Sequence, residues 1–528
     1  MYFGYYEKVR AKLEKLVKEA LENLGVKETN FVLEHPADLK NGDYSTNAAI
    51  KYGPKEEIFE YLNKNKPEGV EKVELAGPGF INFYLSKEFF KKSIGEVIKE
   101  DRDFGRGKHA KGFKIMIEHT DPNPFKEFHI GHLMPNVLGS TLSRIFEWNG
   151  AEVKQVNYQG DVGLHVAKAI WAMMKGMQDN PYVAGSKAYE EGGEVKKEIE
   201  EINRAIYART DEKINKIYEQ GRRDSLFYFE NIYKKLGVKF DFYFFESETG
   251  EVGKKIVEEN IGTVFDRSDG AVVFNGSHTR VFINSQGLPT YEAKDLGNAK
   301  IKFDKYPYDL SVIVTGNEIK DYFRVVLEAM SLVLPDLAEK TKHVPHGMVR
   351  FSDAKMSSRS GNIITAEALI DEVKKRVQGD ERVAIGAIKY MILRQAIGSD
   401  IIFDIDKSVS TEGDSGVYLQ YAYARSNSLL EKADRKWNAN ALREKNHEIE
   451  KLLYRFPEIV ERSGKEYAPQ YITTYLTELA SSFNNFYAHE EVISESPEAP
   501  YRLAIVKAFN TVMKNGLEII GIPAPERL

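Results

Sequence analysis

The sequence predicts an α/β protein in which a doubly wound parallel sheet is preceded by an α+β domain and followed by an all-α domain. In the middle of the chain, strand patterns alternate with helix patterns, which is typical of a parallel sheet. The first hundred residues mix short strand and helix patterns, and the residues after about 410 show almost only helical periodicity. Because 528 residues are too many for one hydrophobic core, we expect domains at 1–105, 106–405 and 406–528.

The first domain begins with a charged amphipathic helix, "MYFGYYEKVRAKLEKLVKEAL", which differs from a signal peptide. Within "VEKVELAGPGFINFYLS" (70–86), a Gly-Pro-Gly turn separates two runs of alternating apolar residues, which predicts paired strands. The polar, glycine-rich stretch 101–112 has almost nothing to bury, so we interpret it as a linker to the second domain.

The central domain is predicted from a repeated order of strand, loop and helix. Residues 113–120, 151–158 and 310–316 have strand patterns, and 132–148 place their apolar residues on one helical face. Residues 190–235 are charged and helical, which indicates a helical insertion on the sheet.

The third domain is predicted to be a helix bundle. Residues 438–456 and 502–521 have the periodicity of amphipathic helices, and Gly521 followed by Pro523 is a helix stop signal.

Composition excludes several kinds of protein. The absence of cysteine excludes disulfides, thiolate zinc sites and a cysteine nucleophile, and it fits a reducing cytoplasm. We find no run of about 18 apolar residues, so we expect no membrane span. With a net charge of −6, any surface that binds nucleic acid has to be local.

Two histidines flank a glycine where the first central strand leads into a helix, in "FKEFHIGHLMPN" (125–136). Ligands of open parallel sheets bind outside the carboxyl ends of the strands, and a helix N-terminus attracts anions. Gly131 lets a ligand approach the backbone, and His129 and His132 can donate hydrogen bonds to phosphate oxygens. Taken alone, the pattern is more typical of a helix cap, and no third residue nearby completes a metal site.

A basic loop rich in serine and glycine, "VRFSDAKMSSRSGN" (349–362), follows about 220 residues later. Lys355 on such a loop is suited to stabilising the outer phosphates of a nucleotide or a leaving pyrophosphate. Taken alone, this loop is more typical of a flexible surface turn.

Together, His-Ile-Gly-His and Lys-Met-Ser-Ser resemble the two signatures of class I aminoacyl-tRNA synthetases. The segment "DPNPFKEFHIGHL" is similar to the arginyl-tRNA synthetase form of the first signature. Further segments that resemble parts of this family are "GDYSTNAA" (42–49), "GPGFINFYL" (77–85), "VNYQGDVG" (156–163), "PTYEAKDLG" (289–297), "YLQYAYARSNSLL" (418–430) and "KNGLEIIGIPAPERL" (514–528).

This resemblance implies a Rossmann-like catalytic domain, a tRNA-contacting N-terminal domain and an anticodon-binding helical bundle. It implies that the carboxylate of L-arginine attacks the α-phosphate of ATP, which gives arginyl-adenylate and releases pyrophosphate. The arginyl group then passes to a hydroxyl on the terminal ribose of tRNA-Arg, which releases AMP. ATP is then a substrate, accompanied by Mg²⁺ without a dedicated protein metal site. We expect a cytoplasmic monomer that has no membrane partner.

The resemblance also implies roles for particular residues. The catalytic group consists of Lys126, His129, His132 and Lys355, and the ATP site adds Gly131, Met356, Ser357 and Ser358. A planar guanidinium with five donors requires carboxylates in its plane, and the residues assigned to arginine are Asn123, Glu152, Asn157, Tyr291, Asp295 and Asn317. The residues assigned to tRNA are Phe80, Asn82, Tyr418, Tyr421 and Arg425.

Several of these residues have a plainer interpretation. Glu152 could be a solvated strand end, Asp295 a helix N-cap, and Phe80 a core residue, and tyrosines three apart on a helix often only pack. Two positions depart from the family pattern. Asn317 stands where glutamine is common, and Asp121 replaces a commoner serine. A carboxylate beside bound ATP should need a compensating cation, for which Lys126 is a candidate.

Three other functions remain as alternatives. A synthetase for lysine would share a pocket for a cationic side chain. A non-catalytic tRNA-binding paralogue would not need His129, His132 and Lys355 intact. A small-molecule nucleotidyltransferase would leave the helical C-terminal domain unexplained.

Overall fold

The computed structural model describes residues 5–27, 29–177, 179–352 and 364–528. Before residue 105, four helices pack against an antiparallel sheet of order β1-β2-β4-β3. Its elements in chain order are α1 (Tyr5–Asn23), β1 (Leu33–Glu34), β2 (Tyr44–Thr46), α2 (Ala48–Tyr52), α3 (Lys55–Lys64), β3 (Val70–Ala76), β4 (Phe80–Leu85) and α4 (Lys87–Glu100). The pairing of β3 with β4 confirms the strands predicted on either side of the Gly-Pro-Gly turn.

The central region is built on a five-stranded parallel sheet. Its elements in chain order are β5 (Lys114–Glu118), α5 (Ile130–Trp148), β6 (Glu152–Gln159), α6 (Leu164–Met174), α7 (Pro181–Glu191), α8 (Gly193–Ala208), α9 (Glu212–Leu236), β7 (Phe242–Phe245), α10 (Glu246–Glu259), β8 (Asp266–Ser268), β9 (Ala271–Asn275), β10 (Thr279–Ile283), α11 (Tyr291–Lys305), β11 (Leu310–Gly316), α12 (Lys320–Val333), α13 (Pro335–Lys340), β12 (Thr341–His346) and β13 (Val349–Phe351). The strands β8 to β10 form a separate antiparallel sheet.

The order of the parallel sheet is β12-β11-β5-β6-β7, and all four strand pairs are parallel. The chain moves outward from β5 through β6 to β7 and then returns to the other side of β5 at β11. This reversal creates a switch point between β5 and β11, where the loops after the two strands diverge and leave a crevice. The doubly wound parallel sheet predicted from the sequence is confirmed.

The helical insertion predicted over 190–235 begins earlier than expected, because besides α8 and α9 it includes α7, which lies almost entirely before residue 190. Together with α6 they enclose a core of their own, because each helix turns aliphatic side chains inward. Its members include Val166, Ile170, Ile199, Ile202, Ile206 and Ile214.

The C-terminal region is almost entirely helical. Its elements are α14 (Ala366–Arg376), α15 (Glu381–Leu393), β14 (Ile401–Phe403), α16 (Ile405–Ser408), α17 (Gly416–Lys432), α18 (Glu448–Leu453), α19 (Phe456–Glu466), α20 (Gln470–His489) and α21 (Ala499–Ile519). The prediction of one helical segment over 438–456 is wrong in its first half. There the Asn438 side chain accepts a hydrogen bond from Asn440 N at 2.9 Å, and Arg443 turns inward to form a bidentate ion pair with Glu450 at 2.8 Å.

Two cations, Lys389 on α15 and Arg144 on α5, donate to main-chain carbonyls at helix ends. Lys389 Nζ donates to Leu236 O and Gly521 O, both at 2.7 Å, and Arg144 Nη2 donates to Gly237 O at 2.9 Å. These carbonyls lie at the C-terminal ends of α9 and α21, where helices carry partial negative charge. Burial, together with the charge of Arg144, lowers the pKa of Lys389 well below its usual value.

Among the residues that the structure describes, no helix is both long enough and apolar enough to cross a membrane.

Candidate active site

The loop between β5 and α5 lies at the switch point and has a strained backbone. Thr120, Asp121 and Phe125 adopt positive φ angles of 81°, 44° and 68°, although none of them is glycine. Two hydrogen bonds hold this conformation: Tyr158 N donates to Asp121 Oδ1 at 2.8 Å, and Phe125 N donates to Ser225 Oγ at 2.9 Å. Strain of this kind persists where neighbouring structure enforces it, and it is often found at functional sites.

The two histidines cap α5 and are fixed by main-chain donors. Gly131 N donates to His129 Nδ1 at 3.0 Å, and His129 N donates to His132 Nδ1 at 3.3 Å. The two rings stack with their centroids 3.8 Å apart. Because each Nδ1 accepts a hydrogen bond, each neutral ring must carry its proton on Nε2.

Burial lowers the pKa of His132 well below its usual value and also lowers that of His129, and the charge of Lys126 adds to both effects. Both rings are therefore neutral near pH 7 and have one Nε2–H donor each. Gly131 is required beside them, because a Cβ at this position would lie 2.8 Å from His129 Cε1. Two fixed donors at a helix N-terminus are well suited to binding phosphate oxygens.

Lys355, Met356, Ser357 and Ser358 lie outside the described residues. The chain that follows them is anchored near the histidines. Ile130 N donates to Ile364 O at 3.1 Å, and Ala366 N donates to Phe128 O at 2.9 Å. On the other side, β13 pairs with β14 in parallel.

A group of acidic side chains lies beneath the loop. Asp295, on the second turn of α11, accepts a hydrogen bond from Tyr322 OH at 2.5 Å, and burial raises its pKa to about 8. Glu118 forms an ion pair with Lys302 at 2.8 Å. Burial, followed by the charge of Glu118, raises the pKa of Asp121 well above its usual value.

The expectation that Lys126 neutralises Asp121 is wrong. Lys302 is the cation that most offsets the charge of Asp121. The ammonium of Lys126 instead lies over the ring of Tyr182, 4.6 Å from its centroid. Desolvation explains how Asp121 is tolerated without a lysine of its own, because burial favours its neutral, protonated form.

A buried ion pair closes the other side of the site. Lys294 Nζ lies 2.6 Å from Glu246 Oε2 and 3.2 Å from Tyr207 OH. The opposite oxygen of Glu246 faces Gly160, where a Cβ would lie 3.0 Å from Oε1 and 2.4 Å from Asn123 Oδ1. Glycine at position 160 therefore allows the loop after β6 to approach both side chains.

Four of the residues predicted to bind arginine lie at this carboxyl edge of the sheet. Asn123 is in the loop after β5, and Asn317 directly follows β11 and is exposed. Because α11 runs back along the sheet before β11 begins, its first two turns bring Tyr291 and Asp295 to the same edge. Tyr291 is 60% exposed, so its ring faces open space rather than the core.

Asp295 is not a helix N-cap, because Thr290 occupies that position. The prediction that Glu152 binds arginine is wrong. Glu152 opens β6 opposite Lys114, at the amino edge of the sheet. At about 3.3 Å per residue, the length of β6 puts this carboxylate roughly 20 Å from the other candidates.

Asn157 lies under the loop rather than in the crevice. It is fully buried, its Nδ2 donates to His119 O at 3.1 Å, and its Oδ1 accepts from Gln159 Nε2 at 2.7 Å. The structure therefore places Asn157 as a support for the strained loop and not as a direct arginine ligand.

Sequence reasoning missed Glu246, Lys294, Tyr322 and Asp161. Asp161 is fully buried and accepts hydrogen bonds from Tyr218 OH at 2.7 Å and Ser247 N at 2.9 Å, which attaches the β6 loop to α9 and α10. Glu246 is the first residue after β7, a parallel strand that was not predicted from the sequence, so the signal that could have found this residue was missed with the strand.

The residues predicted to contact tRNA lie on two separate surfaces. On β4, Phe80 is 39% exposed and so is not a core residue, whereas Asn82 is buried and accepts from Ser45 Oγ at 2.7 Å.

On α17, the Tyr418 hydroxyl accepts from Asn484 Nδ2 at 2.9 Å, and Arg425 Nη1 donates to Asn484 Oδ1 at 2.6 Å. Tyr421 is 38% exposed beside them, and Arg425 also lies over the ring of Tyr487. The structure thus brings Tyr418 and Arg425 together through Asn484, which the sequence did not indicate.

Within the described ranges, no group of three or more His, Asp or Glu side chains is arranged to hold a metal ion.

Three family descriptions match the chain in order. Residues 11–85 match "Arginyl tRNA synthetase N terminal domain", residues 93–386 match "tRNA synthetases class I (R), catalytic domain", and residues 419–528 match "DALR anticodon binding domain". The central match alone covers more than half of the chain.

Curated relatives match over almost the full length. An arginine–tRNA ligase of Streptococcus thermophilus is 30% identical over 99% of both chains, and that of Streptococcus mutans is 31% identical over 94% of this chain and 96% of its own. Among solved structures, the arginyl-tRNA synthetase of Thermus thermophilus has a TM-score of 0.80 at 23% identity, over 98% of this chain and 100% of its own. That of Plasmodium falciparum has a TM-score of 0.79 at 20% identity, over 98% and 99%. These two structures support the fold.

Proposed function

Because this chain belongs to the arginyl-tRNA synthetase family and charges tRNA with arginine, we propose that the crevice between β5 and β11 is where it activates arginine with ATP. The observation that carries the proposal is that two histidine Nε2–H donors at the start of α5 and the partly buried carboxyl of Asp295 on α11 lie at the same edge of the sheet. The first feature is suited to phosphates and the second to a guanidinium.

The nucleotide part of the site performs little covalent chemistry and acts by positioning and charge. His129 and His132 donate from Nε2 to the phosphates, and Gly131 leaves room for the nucleotide. Lys126 and Lys355 offset the charge that develops as pyrophosphate leaves, with Met356, Ser357 and Ser358 beside the phosphates. Mg²⁺ enters with ATP and is held by its phosphates rather than by a protein cluster.

The arginine part of the site lies around α11. Asp295 accepts from the guanidinium in the plane of that group, and Tyr291 packs beside it. Asn123 and Asn317 are neutral and polar, which suits the α-amino and carboxylate groups of the substrate. Asn157 supports this arrangement from below through the loop.

tRNA-Arg reaches the enzyme through the two outer surfaces. Phe80 offers an exposed ring for stacking on an unpaired base, with Asn82 behind it, and Tyr418, Tyr421 and Arg425 meet the anticodon region. We further propose domains at 1–105, 106–405 and 406–528, a monomer in solution and a cytoplasmic location. Sedimentation at micromolar concentration tests the oligomeric state, and a species with twice the mass of the chain would exclude the monomer.

The decisive assay is ATP–pyrophosphate exchange with each amino acid in turn, with and without tRNA-Arg. We expect exchange with arginine, dependent on the tRNA, and none with lysine. Exchange driven by lysine would contradict the assignment of the pocket. Replacing His132 by alanine should slow exchange without weakening tRNA binding, and unchanged turnover would exclude its phosphate role.

A further inference from the structure

We propose that the helical insertion, α7 to α9, positions the two lysines of the active site through two tyrosines, Tyr182 and Tyr207. This inference rests on the proposed function, in which Lys126 acts in the activation of arginine, and it extends that function to Lys294. It gives a role in the reaction to a part of the chain that otherwise packs against the outside of the sheet.

Each of the two tyrosines meets a lysine in a different way. Tyr182, in the first turn of α7, presents the face of its ring to Lys126, with Nζ 4.6 Å from the centroid. Tyr207, near the end of α8, presents its hydroxyl to Lys294, with Nζ to OH at 3.2 Å. The first contact depends on the aromatic ring and the second on the hydroxyl group.

The lysines lie on different elements of the site. Lys126 precedes His129 by three residues in the loop before α5, and its charge lowers the pKa of both His129 and His132. Lys294 is next to Asp295 on α11. It is 4% exposed and forms an ion pair with Glu246. One tyrosine is therefore linked to the phosphate side and the other to the arginine side.

The insertion is rigid enough to hold these contacts in place. A Cβ on Gly185 would lie 2.0 Å from Lys168 O, so α7 packs directly against the backbone of α6. The third helix, α9, is attached to the same site by Tyr218 OH, which donates to Asp161, and by Ser225 Oγ, which accepts from Phe125 N.

A lysine is long and flexible, so its ammonium is useful in a transition state only when its position is restricted. The ring of Tyr182 restricts Lys126 without removing its charge or its donors. The hydroxyl of Tyr207 restricts Lys294 while leaving Glu246 as its counter-ion.

The test measures kcat and KM of arginine-dependent pyrophosphate exchange by the full-length enzyme with tRNA-Arg. Tyr182→Leu should lower kcat about five- to thirtyfold and leave the KM for arginine unchanged, whereas Tyr182→Phe, which keeps the ring, should restore the rate. Tyr207→Phe, which keeps the ring but loses the hydroxyl, should raise the KM for arginine about tenfold with a smaller change in kcat.

Tyr189 provides the matched control. It also lies on α7, its ring faces Lys168 at 4.6 Å and its hydroxyl donates to Glu200, but this contact is not with an active-site lysine. Tyr189→Leu should cost a similar amount of stability and leave both kinetic constants unchanged. If Tyr182→Leu keeps the kcat of the wild type and Tyr207→Phe keeps its KM for arginine, or if Tyr189→Leu reproduces the kinetic defects, the tyrosines are only structural and the proposal is wrong.

Lys126→Met separates this proposal from the one on which it rests. If Lys126→Met keeps full exchange activity, the proposed role of Lys126 fails. If Lys126→Met is inactive while Tyr182→Leu has normal kcat, only the positioning role fails. When both proposals hold, adding Tyr182→Leu to Lys126→Met causes no further loss.

Discussion

Arginine binding should release a proton from Asp295. Burial raises the pKa of this carboxyl to about 8, so at pH 7 only about one free site in eleven is ionised. A bound guanidinium requires Asp295 to be ionised, because a carboxylate is purely a hydrogen-bond acceptor, whereas a protonated carboxyl carries an O–H that would face the guanidinium donors. Binding at pH 7 should therefore release about 0.9 proton per arginine.

The same fraction sets the affinity. The ionised share of Asp295 rises from about 0.09 at pH 7 to about 0.9 at pH 9, so the dissociation constant should fall about tenfold over this interval. Tyr322→Phe removes the hydroxyl donor that lowers the pKa of Asp295, so in this variant the change should move to higher pH.

Calorimetry of arginine binding in two buffers with different heats of ionisation measures the released proton directly. Asp295→Asn should bind arginine weakly, and at pH 7 it should release about 0.9 proton fewer per bound arginine than the wild type. Proton release by Asp295→Asn equal to that of the wild type, or no dependence of affinity on pH between 6 and 8, would refute the reasoning. Such a result would mean that Asp295 is ionised before the substrate arrives.

Three further predictions concern the packing of α10 on α11, the buried lysine Lys389 and the strand end at Glu152. Gly253→Ala would put a Cβ 1.8 Å from Ala293 O, so α10 and α11 must separate by more than 1 Å. We expect the free energy of unfolding, measured by heat or urea, to fall by about 1–3 kcal/mol. The KM for arginine should rise as well, since α11 carries Asp295. Lys389→Met leaves two buried carbonyls without their donor and should cost about 2–4 kcal/mol of stability, measured by urea unfolding. Because the pKa of Lys389 is lowered in the folded state, the stability of the wild type rises with pH until the pH reaches the pKa of an unfolded lysine, about 10.4. The difference in stability between the wild type and Lys389→Met should therefore widen over this pH range. Glu152→Gln should leave the KM for arginine within twofold of the wild type, and a tenfold rise would restore Glu152 as a ligand.

The sequence predicted three of the five parallel strands, β5, β6 and β11, because their apolar patterns are typical of strands, and it did not predict β7 and β12. The alternation in 113–120 and the helical stripe in 132–148 correspond to β5 and α5 within a few residues. The same reasoning failed over 438–447, where Asn438 and Arg443 make local and inward-facing polar contacts that outweigh helical periodicity.

The site was predictable only where its residues are close in sequence or follow a strand. His129 and His132 share one helix turn, so their proximity was readable from the order of the residues. Glu152 was misassigned even though its position as the first residue of a parallel strand already places it at the wrong edge. The contact between Lys294 and Tyr207 joins residues 87 apart, and no local pattern indicates such a pair.

The burial that perturbs Asp295 also bears on the choice between arginine and lysine. Desolvation of this strength also lowers the pKa of an ammonium, but nearby carboxylates reverse the effect, because the pKa values of the buried Lys294 and Lys302 are both raised. Loss of charge on burial therefore does not exclude lysine. Discrimination rests on hydrogen-bond geometry, because a guanidinium has five donors fixed in one plane for Asp295 and its neighbours, whereas an ammonium is a compact point charge with three.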